Sequence, residues 1–224
     1  MVSIIVPVLN EAKVIESLLE HLLGLEGEHE VIVVDGGSSD DTAAIASRYV
    51  KVISSERGRA RQMNAGAREA RGEVLLFLHA DCRLPAGAIR GIEAALADPA
   101  CVGGCFTLSL GEEGLIYRLI SLLSSLRMRL TGRMTGDEGI FVRREIFVRM
   151  GGFPEIALME DWEFSRRLRS YGRVKQLPLK ITTSARRWKK CGLWRTIWLM
   201  QKIKILYALN MPPEKLKRLY DDIR

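Results

Sequence analysis

Four short apolar runs constrain this chain more than any other feature: VSIIVPV at 2–8, EVIVVD at 30–35, KVIS at 51–54 and EVLLFL at 73–78. In the longer ones apolar residues fill successive positions rather than alternate ones, the pattern of a strand buried on both faces. Between the runs the spacing becomes helical. Val14, Ile15, Leu18, Leu19, Leu22 and Leu23 recur three and four apart, with Asn10 placed to cap that helix and Gly24 to stop it. GGSSDDT (36–42) reads as a turn and helix cap in one, leading a helix over about 40–48 in which Asp40 and Asp41 are capping acids. GRARQMNAGAREA (58–70) reads as a helix, and Pro85 opens another that runs to about Ala97. Such alternation predicts an α/β fold with a Rossmann-like, mostly parallel central sheet covered by helices on both faces.

After residue 100 the alternation loosens. CVGGCFTLSL (101–110) reads as a strand, and GLIYRLISLLSSLRMRL (114–130) as a long amphipathic helix. GIFVRREIFVRMGGF (139–153) reads as a strand, a short helix and a Gly-Gly turn. EDWEFSRRLRSYG (160–172) is a helix that starts on two acids, and VKQLPLKIT (174–182) returns to strand.

Charge is divided unevenly. Residues 166–224 hold 17 of the 34 Lys+Arg against Glu214, Asp221 and Asp222, or +14, which leaves 17 basic and 24 acidic residues, or −7, in residues 1–165. An acidic body suits carboxylate chemistry, and a basic tail suits an anionic surface or ligand. The opening MVSIIVPVLNEAK has no basic n-region, so no signal peptide is expected. No apolar run approaches the roughly 18 residues that span a bilayer. A cytoplasmic protein is expected, at most touching the inner face of the membrane. Cys82, Cys101, Cys105 and Cys191 contain no C-x-x-C pair and read as free thiols, and three scattered histidines give no zinc signature.

In a doubly wound sheet, ligands sit beyond the carboxyl ends of the strands. Three such ends are polar here: Asn10 and Glu11, then Asp35, then His79 and Asp81. Gly36 and Gly37 lack the lysine and spacing of either nucleotide fingerprint, which leaves Asp35 free to accept hydrogen bonds from a base or ribose. Asp81 is the metal candidate, since a strand-end carboxylate beside a phosphate-bearing substrate suits a hard divalent cation. His79 is either a second ligand, favouring manganese over magnesium, or a hydrogen-bond partner of a neighbouring carboxylate. Asp137–Glu138 and Glu160–Asp161 are acidic pairs. A carboxylate beside another in a partly dry cleft is raised toward working pH and can act as a general base. The alternative for Glu160–Asp161 is charge at a helix N-terminus.

Together VSIIVPVLNEA, VIVVDGGSSDDT, GRARQMNAGAREARGEVLLFLHAD, GIFVRREIFVRMGGF and EDWEFSRRL resemble, in order and spacing, the family 2 glycosyltransferases. Among these the chain looks most like the short bacterial rSAM/selenodomain-associated or arsenosugar-biosynthesis-type transferases. The resemblance implies a GT-A (nucleotide-diphospho-sugar transferase) fold over 1–190, with 1–100 as nucleotide-binding half and 101–190 as acceptor half, followed by a basic amphipathic helical tail at 191–224. It implies a nucleotide-sugar donor, foremost a UDP-sugar, and single inverting transfer to an acceptor hydroxyl. Pro7, Asn10, Glu11 and Asp35 would line the nucleotide pocket, with Arg59 and Asn64 in the segment closing over it. Asp81 matches the last acid of the family's D-x-D motif, which binds Mn²⁺ or Mg²⁺, and Asp161 matches the base of its E-D motif. Asp137, Glu138 and Glu160 fall in the acceptor or diphosphate region.

The chain departs from the family where Gly36 replaces the second Asp of V-D-D-G-S and His79 the first acid of D-x-D. SARRW (184–188) matches the Q-x-x-R-W motif of processive synthases only at Arg187 and Trp188, which favours single transfer over polymerisation. Arg186 and Arg187 could contact the donor diphosphate, as guanidinium forks suit phosphate. The tail RRWKKCGLWRTIWLMQKIKILYALN (186–210) interleaves tryptophans and aliphatics with cations. It lies on an anionic membrane near a lipid-linked acceptor, packs on the body, or forms a homodimer. A nucleotidyltransferase of similar fold would carry a Gly-rich loop after the first strand, which VPVLNEAK lacks. A nucleic-acid-binding module would use only the tail and leave Asp161 idle, so no nucleic-acid partner is expected.

Overall fold

The computed structural model describes residues 1–112, 114–184 and 192–221. Its first half follows the sequence pattern closely. Strands β1 (Val2–Val8), β2 (His29–Asp35), β3 (Lys51–Ser54) and β4 (Val74–Phe77) lie parallel, in the order β3-β2-β1-β4. Helices α1 (Ala12–Leu23), α2 (Thr42–Ala46) and α3 (Arg59–Glu69) connect them. Both faces are buried, as the unbroken apolar runs require. Val2, Ile4, Val6 and Val8 of β1 pack with Ile15, Leu18, Leu19 and Leu22 of α1. Ile5, on the opposite face, packs with Ala60, Met63 and Ala67 of α3.

α3 lies tight against the sheet because Gly66 has no side chain. A Cβ there would collide with Ile5 Cγ2 and come within 2.9 Å of Val34 Cγ2. Alanine gains about 1 kcal/mol of helix propensity, but overpacking a core costs about 1–3 kcal/mol. Gly66→Ala is therefore expected to lose up to about 2 kcal/mol net, read from the midpoint of guanidinium unfolding.

The second half is mixed rather than parallel. It comprises β5 (Cys82–Arg83), α4 (Ala88–Leu96), β6 (Cys101–Ser109), α5 (Leu115–Thr131), β7 (Ile140–Arg143), α6 (Arg144–Arg149), α7 (Glu160–Leu168) and β8 (Arg173–Thr183). The eight strands run β3-β2-β1-β4-β7-β6-β8-β5, with β7 antiparallel to both β4 and β6. Two more helices follow, α8 (Leu193–Ala208) and α9 (Pro213–Asp221). Leu199 and Ile203 of α8 and Leu216 of α9 pack on Met159 and Trp162 at the head of α7. Among the described residues, no helix is long and apolar enough to cross a membrane.

Several local expectations are corrected. Asn10 does not cap α1. It sits in the left-handed region at φ 55°, and the start of α1 is served from the neighbouring loop, where Thr42 Oγ1 accepts from Glu11 N (2.8 Å) and Asp40 Oδ2 from Ala12 N (3.2 Å). Asp40 also accepts from Thr42 N at 3.1 Å, so one carboxylate serves two helix starts. The helix expected over about 40–48 shortens to Thr42–Ala46. Pro85 does not begin α4. Its carbonyl accepts from Ala88 N (3.1 Å), closing a turn that contains Gly87 at φ 72°.

Candidate functional site

The parallel register brings the polar strand ends together. Val8 pairs with Asp35, Ile5 pairs with Phe77, and the ladder continues one step as Leu78 N donates to Ile5 O (3.0 Å). Asn10, Asp35, His79 and Asp81 therefore leave from one edge of the sheet, with Pro7 half-buried inside it. Asp35 is 7% exposed and accepts from Gly37 N and Ser38 N (both 3.0 Å) and from the Ser38 hydroxyl. Asn10 Oδ1 accepts from Ser39 N (2.8 Å), and Asn10 N donates to Ser38 Oγ (2.9 Å). The loops after β1 and β2 thus form one hydrogen-bonded lip.

Gln62, which the sequence reading passed over, sets the floor of that lip. Its Nε2 donates to Val8 O (2.8 Å) and Val34 O (2.9 Å), carbonyls at the carboxyl ends of two adjacent strands. A Cβ on Gly36 would come within 2.9 Å of the same amide. The glycine that departs from the V-D-D-G-S pattern is thus the residue that makes room for Gln62.

Beyond β4, His79, Asp81 and Cys82 place their ligand atoms within 4.8 Å of one another. Cys82 is a poor member of the set. Burial, then the Asp81 charge, pushes its thiol well above the ordinary value, so it stays protonated. The donors that fit a cation are the exposed Asp81 carboxylate and the half-buried His79 imidazole, a mixed N/O pair more suited to Mn²⁺ than to Mg²⁺. The His79 ring packs against Gly136, where a side chain would collide with it.

Gly136 links this corner to the acidic pair. Its N–H donates to Asp161 Oδ2 (2.9 Å), and Trp162 N donates to Oδ1 (2.7 Å). Asp161 stands in the first turn of α7 behind Met159 at φ 72°, and a recess lined by Arg59, Met63, His79, Gly136, Glu160 and Asp161 runs between them. Desolvation first, then the Glu160 charge, raises the Asp161 pKa to about 7, against the pull of the two N–H groups and Arg59. Arg59 Nη1 lies 3.4 Å from the buried Glu160 Oε1. Desolvation lowers the guanidinium pKa, but Glu160, Tyr220, Asp161 and Asp81 outweigh it and raise it. Arg59 is thus a cation within the field of Glu160, Asp161 and Asp81.

Not every candidate reaches the site. Asn64 turns away: its amide donates to Phe153 O and accepts from Phe153 N, both at 2.9 Å, which ties α3 to the loop after α6. Glu138 is fully buried and is no twin of Asp137. It accepts from Ser124 Oγ and Thr135 N (2.7 Å each), and both its oxygens meet Arg127 Nη2 at 2.7 Å. Burial raises its pKa, and Arg127 opposes the rise. Asp137 presents its main-chain oxygen 3.8 Å from Cys82 Sγ. Arg186, Arg187 and Trp188 lie outside the described residues.

A cavity of about 570 Å³ opens on the other side of Trp162, walled by Arg133, Glu163, Arg166, Arg167 and Tyr207. The Arg133 guanidinium lies 4.8 Å from the Trp162 ring centre and the Lys204 ammonium 5.7 Å from it. Lys204 comes from α8, so the tail reaches the wall of the site.

Comparison with known proteins identifies the family and the fold. The family model "Glycosyl transferase family 2" matches residues 3–151. The chain is 28% identical over 155 residues to an undecaprenyl-phosphate 4-deoxy-4-formamido-L-arabinose transferase of Sodalis glossinidius, covering 63% of this chain and 48% of that one. It spans about half the length of such curated relatives. Among solved structures it resembles the mannosyltransferase PcManGT of Pyrobaculum calidifontis, in complex with GDP-Man and Mn²⁺, at TM-score 0.69 and 24% identity, over 97% of this chain and 67% of that one. Glucosyl-3-phosphoglycerate synthase of Mycobacterium tuberculosis, with Mn²⁺, UDP and glucosyl-3-phosphoglycerate, superposes at TM-score 0.60 and 21% identity, over 86% and 75%. The chain has the GT-A fold and belongs to glycosyl transferase family 2.

Proposed function

We propose that this chain transfers a single sugar from a nucleoside-diphosphate donor, foremost a UDP-sugar, to an acceptor hydroxyl with inversion at the anomeric carbon. The observation that carries this reading is Asp161, a half-buried carboxylate with a pKa raised to about 7, facing the corner formed by His79 and Gly136. Such a group is ionised often enough near neutrality to accept a proton and basic enough to hold it. Both of its oxygens are already fixed by main-chain N–H groups, so it accepts the acceptor proton without reorienting. Asp35, Asn10 and the lip they form would hold the nucleoside, and Arg59 would meet the diphosphate over the site.

Asp81 and His79 would hold Mn²⁺ or Mg²⁺, which when bound offsets the charge developing on the diphosphate. Support for a divalent ion comes from the donor pair itself and from the Mn²⁺ in both structural neighbours. The cavity beside Trp162 supplies the acceptor side, and the undecaprenyl-phosphate relative points to a lipid-linked acceptor. On that reading the basic tail would contact the membrane peripherally, while α8 and α9 also pack on α7. The test is donor binding by calorimetry across UDP-, GDP- and dTDP-sugars, with and without Mn²⁺. Asp81→Ala is expected to weaken metal-supported binding by about 10–100-fold. Equal binding and turnover by that variant would remove Asp81 from the site.

A further inference from the structure

Helix α5 is inside out. Toward the body it buries Ser124, Ser125 and Met128, and it sends the Arg127 guanidinium to Glu138. Toward solvent it presents Leu115, Leu119, Leu122, Leu123, Leu126 and Leu130, each between 47% and 84% exposed. At about 100° per residue these six leucines share an arc about 100° wide, the width of a stripe that a surface helix normally turns to the core. The stripe runs the length of the helix, about 22 Å at 1.5 Å per residue. Arg118 and Arg129, both exposed, fall along one edge of it, and residues 115–131 contain no Asp or Glu.

α8 repeats the pattern. Trp194, Trp198, Ile205 and Leu209, at the same spacing, are 60–72% exposed. Arg195, Lys202 and Lys204 are its charges, again with no acid over 193–208, and the Lys202 ammonium lies 4.9 Å from the Trp198 ring centre.

We propose that α5 seats the protein on an anionic lipid bilayer, lying in the plane of the interface. The leucine stripe enters the boundary between headgroups and acyl chains, and Arg118 and Arg129 reach lipid phosphates. Charge decides between a bilayer and a second copy of the chain. A two-fold dimer through this stripe would set two cationic, acid-free helices against each other, with nothing on either to neutralise them. An anionic leaflet supplies the missing charge along the whole stripe. This assignment rests on the exposed face of α5 and stands apart from the glycosyl-transfer reading. Where both hold, an acceptor in the leaflet approaches from the side of α5. Arg127, on the flank of that helix, grips Glu138, two residues from the Gly136 N–H that binds Asp161.

The test is vesicle flotation of the full chain with phosphatidylglycerol-containing and pure phosphatidylcholine vesicles, beside light scattering without lipid. Wild type is expected to float with the anionic vesicles and not with the neutral ones, and to release as salt rises to about 0.5 M. The triple variant Leu119→Ser, Leu122→Ser, Leu126→Ser alters only exposed positions, so an unchanged melting temperature certifies its fold. It is expected to lose binding by about tenfold or more. Arg118→Gln with Arg129→Gln keeps every leucine and is expected to lose the preference for anionic lipid. Absence of wild-type flotation, or equal flotation by the triple variant, overturns the proposal. So does a wild-type dimer that the triple variant dissolves.

Discussion

Asp161→Asn is expected to lower glycosyl transfer by about 10²–10⁴-fold, the range that a positioned general base contributes, while donor affinity changes little. The amide keeps the shape of the carboxylate and can still accept from Gly136 N, but it cannot take a proton. In the wild type, log kcat/KM should climb with unit slope on the acid side and level off above about 7, where Asp161 is ionised. The variant should show no such limb. The same group leaves a stability signature of defined sign. Asp161 holds its proton to about 7 in the fold against 3.8 ordinarily, so between those values the folded chain binds more protons than the unfolded one. Its stabilising contribution is complete below 3.8 and is lost as pH rises through about 7. Asparagine does not ionise. The melting temperature of the variant relative to wild type, measured without donor, should therefore move upward between about pH 4 and pH 7 and level off above. A difference that stays flat with pH, or a variant that transfers sugar normally, would show that Asp161 is not the base.

Arg127→Met is expected to be the most damaging single change for stability among those considered, at about 3–5 kcal/mol. Glu138 is 0% exposed and Arg127 is 17% exposed, so the substitution leaves a carboxylate in the interior with no cation. The Ser124 hydroxyl and the Thr135 N–H remain, but two neutral donors do not replace a guanidinium held at 2.7 Å. Adding Glu138→Gln removes the stranded charge, and the double variant should recover most of the loss in urea unfolding. The Arg127→Met deficit should also shrink at acid pH. Burial already raises the Glu138 pKa, loss of Arg127 raises it further, and protonation then relieves the cost. If the two single losses simply add, the pair is not coupled.

The parallel half of the fold could be read from the chain because burial on both faces leaves its mark in consecutive residues such as Ile4, Ile5 and Val6. The direction of β7 left no such mark. IFVR at 140–143 has the composition of a parallel strand, and only its pairing with Leu75 and Gly103 reveals that it runs the other way. Polar struts were harder still. Gln62 and Asn64 look like ordinary polar positions of α3, while their partners are main-chain groups 28–89 residues away. Glu138 was legible in principle. Thr135 and Glu138 have the spacing of a capping box, and the structure forms one, but the adjacent Asp137 made the two acids look like a pair of equals. Motif order alone singled out Asp161 and Asp81 as candidates. The raised proton affinity of Asp161 could not, because it depends on Glu160 being buried and on where Gly136 falls.

The backbone of Met159, at φ 72°, sets the direction in which Asp161 leaves the loop. A side chain other than glycine is strained by about 1–3 kcal/mol in such a conformation, and it stays there only when its surroundings hold it. Those surroundings are Leu199, Ile203 and Leu216, which belong to the last two helices. The C-terminal segment therefore works as a splint on the E-D corner, because its apolar inner side holds the backbone turn from which Asp161 leaves.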